Sequence, residues 1–242
     1  MLSIFFLSFN EISSLLFFCG ILSILIGTFF AIRQKRLKRF IIFSSITQTG
    51  FLIVALSTYN LNSLVSIYFF IIIYLITSIV LWTHFSIFFF FKEKINFFYN
   101  KSQTPLFLSN LSNYFLINKL WSFSFIMLFF SIAGIPPFVG FLSKIFILFG
   151  LVESNSFTGS FLIVIISSIT VFYYLRVIKI IFFESNTSKN IKENYKITFN
   201  YNFFDFNCIL IYTCLFLLIF FFFNSASLLL ICHYIILGSF FF

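Results

Sequence analysis

The sequence predicts an all-α, polytopic membrane bundle of about six transmembrane helices, one of them broken, with residues 1–242 forming a single integral-membrane domain. Three observations predict it. First, the chain is 61% hydrophobic and 9% charged, with a mean hydropathy of +1.12. Soluble domains carry roughly 25% charged residues, so lipid or other membrane proteins must solvate most of this surface. Second, the basic residues fall into alternate connections between apolar runs. Third, one apolar run, SIAGIPPFVGFLSK at 131–144, holds two adjacent prolines and a lysine. Hydropathy alone excludes a soluble enzyme.

About 20 mostly apolar residues make a transmembrane helix. The spans this gives are approximately 12–32, 40–59, 64–91, 121–150 (broken near 134–138), 160–182 and 205–235. The first connection holds Arg33, Lys35, Arg36, Lys38 and Arg39. The third holds Lys92, Lys94, Lys101 and Lys119, and the fifth region Arg176, Lys179, Lys189, Lys192 and Lys196. The second connection, Ser57 to Ser63, has no basic residue, and the fourth, Leu151 to Ser160, carries only Glu153. Fourteen of the fifteen Lys and Arg therefore fall on one side. This is the positive-inside pattern, which puts the N-terminus on the opposite side. The basic loops either only set topology or also bind anionic lipid headgroups. No basic stripe interleaved with exposed aromatics sits on a soluble domain, so nucleic-acid binding is not expected.

The span 64–91 is long, about 42 Å against a hydrocarbon core of about 30 Å. Trp82 and His84 lie towards its basic end. Trp82 suits an interface anchor. His84 is either a proton carrier or a histidine satisfied near the headgroups. The span 121–150 is longer still, and Pro136 and Pro137 account for the excess. Proline has no amide donor and clashes with the carbonyl one turn back, so carbonyls near Ile132 and Ala133 lose their partners. Gly134 and Gly140 bracket the break and add backbone freedom. Non-helical backbone at membrane depth persists only inside protein or beside water, so the broken helix is expected to pack within a bundle.

Lys144 is the fifteenth basic residue and sits about two turns beyond the break. A charge at the bilayer centre costs about 2.5–3.5 kcal/mol on insertion scales. Such a lysine either relays protons or snorkels to an interface about 10 Å away. All six acids lie at span ends or in loops, which leaves water, a hydroxyl or another chain as its partner. Cys19, Cys208, Cys214 and Cys232 lie in apolar runs and form no CxxC pair, so they read as small buried hydrophobes, with no metal or disulfide. The segment 184–204 reads as a polar connection without a site of its own. Forty-six phenylalanines against four alanines suggest an AT-rich, organelle-type gene. The N-terminus does not read as a removable targeting peptide.

Three stretches resemble the proton-translocating membrane subunits of respiratory complex I. In AIRQKRLKRFIIFSSITQTG (31–50), residues Ala31, Gln34, Lys38, Arg39, Ser44, Ser45, Ile46 and Gly50 match the family signature, with Phe43 where Tyr is usual. SIAGIPPFVGFLSKIFIL (131–148) resembles the family's broken helix, and YYLRVIKIIFF (173–183) the helix after it. Within the family the pattern is closest to the subunit 2 type. The resemblance implies a proton-conducting half-channel with Lys144 as relay, the break at Gly134, Pro136, Pro137 and Gly140, and Lys38 and Arg39 as a matrix-side anchor. Gln48, Tyr74, Thr77 and His84 are candidates for the proton path. It further implies that this chain binds no cofactor or metal, NADH, flavin, iron–sulfur clusters and ubiquinone being held by other subunits. Implied partners are other membrane-arm subunits and lipid; these residues do not match the family's first inverted repeat, so either a separate chain carries it or the subunit is truncated. The implied location is the mitochondrial inner membrane, with basic loops in the matrix. A non-conducting structural subunit and a cation/proton antiporter subunit are the alternatives within the same superfamily.

The charge alternation has a direct test. Cysteines introduced as Lys35→Cys and Lys101→Cys should react with an impermeant maleimide from one face of sealed vesicles, and Glu153→Cys from the other. Labelling of position 153 from the same face as position 35 would overturn it.

Overall fold

Apolar runs in lipid must satisfy every backbone polar group internally, which makes helix the default. The computed structural model describes residues 2–58, 60–99, 108–111, 119–183 and 201–241. Among these residues the fold is all-α. The helices are α1 (Leu2–Arg33), α2 (Leu37–Leu56), α3 (Leu61–Tyr99), α4 (Lys119–Ala133), α5 (Val139–Glu153), α6 (Phe157–Phe183), α7 (Tyr201–Phe223) and α8 (Ser225–Phe241), with a short 3-10 turn at Leu108–Leu111. Lys101, Lys189, Lys192, Lys196 and most of the connection 184–204 lie outside the described residues.

Four stretches are long and apolar enough to cross a membrane alone: Ile12–Arg33, Leu37–Leu56, Leu61–Ile87 and Phe157–Phe182. Helices α4 and α5 have 15 residues each, about 22 Å apiece, and only in series match a bilayer of about 30 Å. The expected single span 205–235 is instead two helices. Asn207–Phe223 and Ser225–Gly238 meet at 92°, and the Ser227 hydroxyl donates to the Asn224 carbonyl at 2.8 Å at the corner. Polar residues at 224, 225 and 227 supply the local hydrogen bonding that favours a new helix start over continuation. On α8 only Leu228, Cys232 and Ile236 are buried among the described side chains, a four-residue spacing that gives one packed stripe.

Hydrogen bonds tie neighbouring elements together at each end of the bundle. At the basic end Arg176 donates to the Ile32 carbonyl at 3.1 Å, and the Leu108 amide donates to the Lys35 carbonyl at 2.9 Å. At the other end the Asn62 amide donates to Glu153 at 2.8 Å. Helix α5 stops there because Asn155 takes φ 57°, and the Ser156 amide reaches back to the Leu151 carbonyl at 3.0 Å, a left-handed cap that asparagine tolerates.

Helices α1 and α2 form a hairpin whose backbones nearly touch. A Cβ on Gly27 would lie 2.5 Å from the Thr47 methyl and 2.9 Å from the Phe43 carbonyl, and one on Gly20 2.9 Å from the Val54 amide nitrogen. Small residues allow this approach, and in lipid such close packing is a main source of helix association. Helix α3 is central and packs on α2, α4, α5, α7 and α8. Phe40, Tyr173, Tyr174 and Phe129 form a buried aromatic cluster, with centroid separations from 4.6 to 5.8 Å, between α2, α4 and α6. Leu15, Phe18, Leu22, Ile26 and Phe29 on α1 are exposed, as expected for a lipid-facing stripe.

Gly27→Leu should therefore force α1 away from α2 and destabilise the chain by about 1–3 kcal/mol. Gly238→Ala, where a Cβ meets nothing within 4 Å, should be neutral or slightly stabilising. Thermal unfolding in detergent, followed by helical circular dichroism, compares the two.

Candidate functional site

In an α-helix, residue 136 would donate to carbonyl 132 and residue 137 to carbonyl 133. Pro136 and Pro137 cannot. Helix α4 ends at Ala133, Gly134 follows at φ 80°, and α5 begins at Val139. Those two carbonyls are the ones Lys144 binds: its Nζ donates to Ala133 at 2.6 Å and to Ile132 at 3.1 Å. The geometry follows from helix direction. Side chains on an α-helix lean towards its N-terminus, so a lysine two turns into α5 points back at the break. There it meets the C-terminal, electronegative end of α4.

Lys144 is 8% exposed. Its side chain turns inward to the break and not out towards an interface. Its partners are the broken helix's own carbonyls, and not the water, hydroxyl or other chain expected from the sequence. The Phe51 ring lies 5.9 Å from Nζ, near the outer limit for a cation–π contact. The two glycines admit this packing. A Cβ on Gly134 would come within 3.0 Å of Lys144 Cδ and 3.1 Å of Nζ, and one on Gly140 would collide with the Ser131 carbonyl. Pro136 and Pro137 themselves are exposed on this chain. The expectation of a break packed within the bundle thus fits the lysine side of the break but not the proline side.

A cavity of about 20 Å³ lies beside Lys144, lined by Gln48, Tyr74, Thr77, Ser131, Ile132 and Ser143, among others. This is room for about one water, which needs two to four polar partners. Gln48 Nε2 and Ser131 Oγ are buried without a hydrogen-bond partner among the described residues. Most hydroxyls nearby are turned to their own helix: Thr77 to the Tyr74 carbonyl at 3.0 Å and Ser143 to Gly140 at 2.8 Å. Gln48, Tyr74, Thr77 and Ile132 also line a larger cleft of about 480 Å³ between α2 and α3, which reaches Lys38. Ser44, Ser45 and Tyr174 line the cleft as well. Ser44 and Ser45 belong to the signature stretch 31–50, and Ser44 and Gln48 lie four residues apart on one face of α2.

The candidate residues thus divide. Lys144, Gly134, Gly140, Gln48, Tyr74 and Thr77 come together, and Lys38 stands at the far end of the cleft. Arg39 is exposed and lines neither cavity. His84 is 1% exposed and faces α4, with its Nε2 3.2 Å from the Ser124 hydroxyl and its ring centroid 4.9 Å from that of Phe125. It lines neither cavity.

Residues 1–170 match the family described as NADH:quinone oxidoreductase/Mrp antiporter, TM. The chain is 32% identical over 177 residues to NADH-ubiquinone oxidoreductase chain 2 of Rhizopus oryzae, an alignment covering 71% of this chain and 32% of that protein. It is 32% identical over 176 residues to NADH-quinone oxidoreductase subunit N of Wolbachia sp. subsp. Brugia malayi, covering 73% and 35%. The chain thus spans about a third of the length of these relatives. Its fold is similar to a chain of respiratory complex I from Thermus thermophilus, with TM-score 0.69 and 19% identity over 89% of this chain and 44% of that one. It is also similar to a chain of an Mrp complex from Dietzia, with TM-score 0.60 and 20% identity over 72% and 30%.

Gly134→Ala tests the local geometry. The left-handed backbone alone costs about 1–2 kcal/mol for a residue with a Cβ, and the added methyl would press on Lys144. The expected outcome is a loss of thermal stability larger than that of Ala226→Gly, a change on the exposed side of α8.

Proposed function

The chain belongs to the NADH:quinone oxidoreductase/Mrp antiporter family of membrane subunits, and on that premise we propose that it is a proton-translocating membrane-arm subunit of an NADH:ubiquinone oxidoreductase, of the chain 2 type. In this proposal Lys144 is the relay. The observation that carries it is the placement of an ammonium group on the two carbonyls released by Pro136 and Pro137, next to a water-sized cavity. The carbonyls stabilise the protonated form. Water in the small cavity, held by Gln48 and Ser131, accepts the proton and returns it. The α2–α3 cleft, with Ser44, Gln48, Tyr74 and Thr77, is the route towards the basic side, where Lys38 and Arg39 anchor the end. His84 braces α3 against α4 through Ser124.

Redox chemistry lies elsewhere in this proposal: NADH, flavin, iron–sulfur clusters and ubiquinone are bound by other subunits, and energy arrives by coupling. Exposed prolines at membrane depth need a protein or aqueous cover. Neighbouring membrane-arm subunits and the first inverted repeat, expected on a separate chain, are its proposed source. Mass spectrometry of the purified complex would read whether that repeat is a second polypeptide. The proposed location is the mitochondrial inner membrane, with the basic loops in the matrix.

In the assembled complex reconstituted into proteoliposomes, Lys144→Met should leave NADH oxidation measurable and lower the proton flux carried through this subunit. The loss expected of a positioned proton-transfer group is about a hundredfold, read as a fall in protons moved per NADH. Gln48→Leu should lower it less. Unchanged stoichiometry in Lys144→Met would contradict the relay and favour a non-conducting structural subunit.

A further inference from the structure

The α2–α3 cleft has a shape that a water path alone does not need. Its volume is about 480 Å³, within the range of clefts that hold an organic ligand. Much of its wall is apolar, from Ile41, Ile42, Leu81 and Phe85. The rim residues Ile42 and Trp82 are 56% and 67% exposed on this chain, so the cleft opens sideways between α2 and α3. One end carries a cation, Lys38, at the basic face of the bundle.

Its depth matches one leaflet. Lys38 and Gln48 mark its two ends on α2, about 15 Å apart at 1.5 Å per residue, and Ser86 and Tyr74 mark them on α3, about 18 Å apart. Half of a hydrocarbon core of about 30 Å is 15 Å. The cleft therefore runs from the basic end of the bundle over about half the depth of such a core, and ends at Ile132 beside the broken helix. A transmembrane helix of a partner would need a groove twice as long. A single lipid acyl chain needs one of this length, and an anionic headgroup complements the cation at its mouth.

We propose that this cleft is a binding site for an anionic phospholipid of the basic-side leaflet, its headgroup phosphate on Lys38 and one acyl chain between α2 and α3 beside Trp82. Basic residues at the mouth of a gap between transmembrane helices are the chemistry that recognises such headgroups. The seated chain closes the sideways opening and leaves the polar floor at Ser44 and Gln48 to water. The site does not depend on proton transfer by Lys144, and its test reads lipid binding alone.

The chain has two tryptophans. Trp121 is 3% exposed, and a Trp82→Phe variant supplies its background signal. The full chain is placed in nanodiscs doped with dibrominated phosphatidylglycerol or, at equal mole fraction, dibrominated phosphatidylcholine. Trp82 fluorescence should be quenched about fivefold more steeply by the anionic lipid, the selectivity expected of one surface-proximal cation. Lys38→Gln should remove the difference, while Lys179→Gln, an exposed lysine on α6, should keep it. Ser78→Phe, which fills the cleft wall, should lower quenching by both lipids. Equal slopes for the two lipids, an equal loss in Lys38→Gln and Lys179→Gln, or full quenching in Ser78→Phe would each overturn the site.

Discussion

Two carbonyls without amide partners, at membrane depth, are the constraint on which this structure turns. Lipid offers no hydrogen bond, so each such group costs several kcal/mol if left bare. Pro136 and Pro137 create the pair on Ile132 and Ala133, and Lys144 meets both. The lysine has the converse problem, since an isolated ammonium is also costly there. Each feature is unfavourable by itself, and together they form one hydrogen-bonded unit. Removing either partner leaves a buried group unpaired, which is the expensive direction of change for a polar network.

The rest of the bundle holds that unit in place. Gly134 and Gly140 bring α4 and α5 close enough for Nζ to reach the carbonyls. Phe51 of α2 covers the ammonium, and the glycine-lined contact of α1 with α2 fixes where Phe51 lies. Helix α3 brings Tyr74 and Thr77 to the same cavity. The polar residues that line it are mostly self-satisfied within their helices. Gln48 Nε2 and Ser131 Oγ are the exceptions, and both face the lysine's cavity. That is the arrangement a single bridging water would complete.

Much of this was legible from residues alone. Hydropathy fixes the all-α membrane class, and the proline pair locates both the break and the carbonyls it frees. The lysine's partner was not legible, because spacing measures distance along a helix and not where a flexible four-carbon side chain ends. The lean of helical side chains towards the N-terminus was the available signal. His84 illustrates helical phase. It lies ten residues after Tyr74, about 80° round the helix, enough to turn it from the α2 cleft to α4. The corner at Asn224 rests on a short polar cluster that reads equally well as a cap or as part of a continuous span. The exposure of Pro136 and Pro137 was not legible either, because a proline pair marks where a helix breaks and not which side of the break the bundle covers.

The central claim is a hydrogen bond between one lysine and the end of one broken helix, and the scarcity of alanine makes it measurable. Only four alanines occur in the chain, so labelling alanine carbonyls with carbon-13 and lysine Nζ with nitrogen-15 gives few signals. With the 2.6 Å contact to the Ala133 oxygen and a carbonyl bond of about 1.23 Å, the carbon and nitrogen should lie within about 4 Å. Solid-state NMR dipolar recoupling in lipid should show one alanine carbonyl at that distance from a lysine nitrogen, and Lys144→Met should abolish it. If no alanine carbonyl recouples strongly, or if the signal survives in Lys144→Met, the lysine is not held by the break and the account fails.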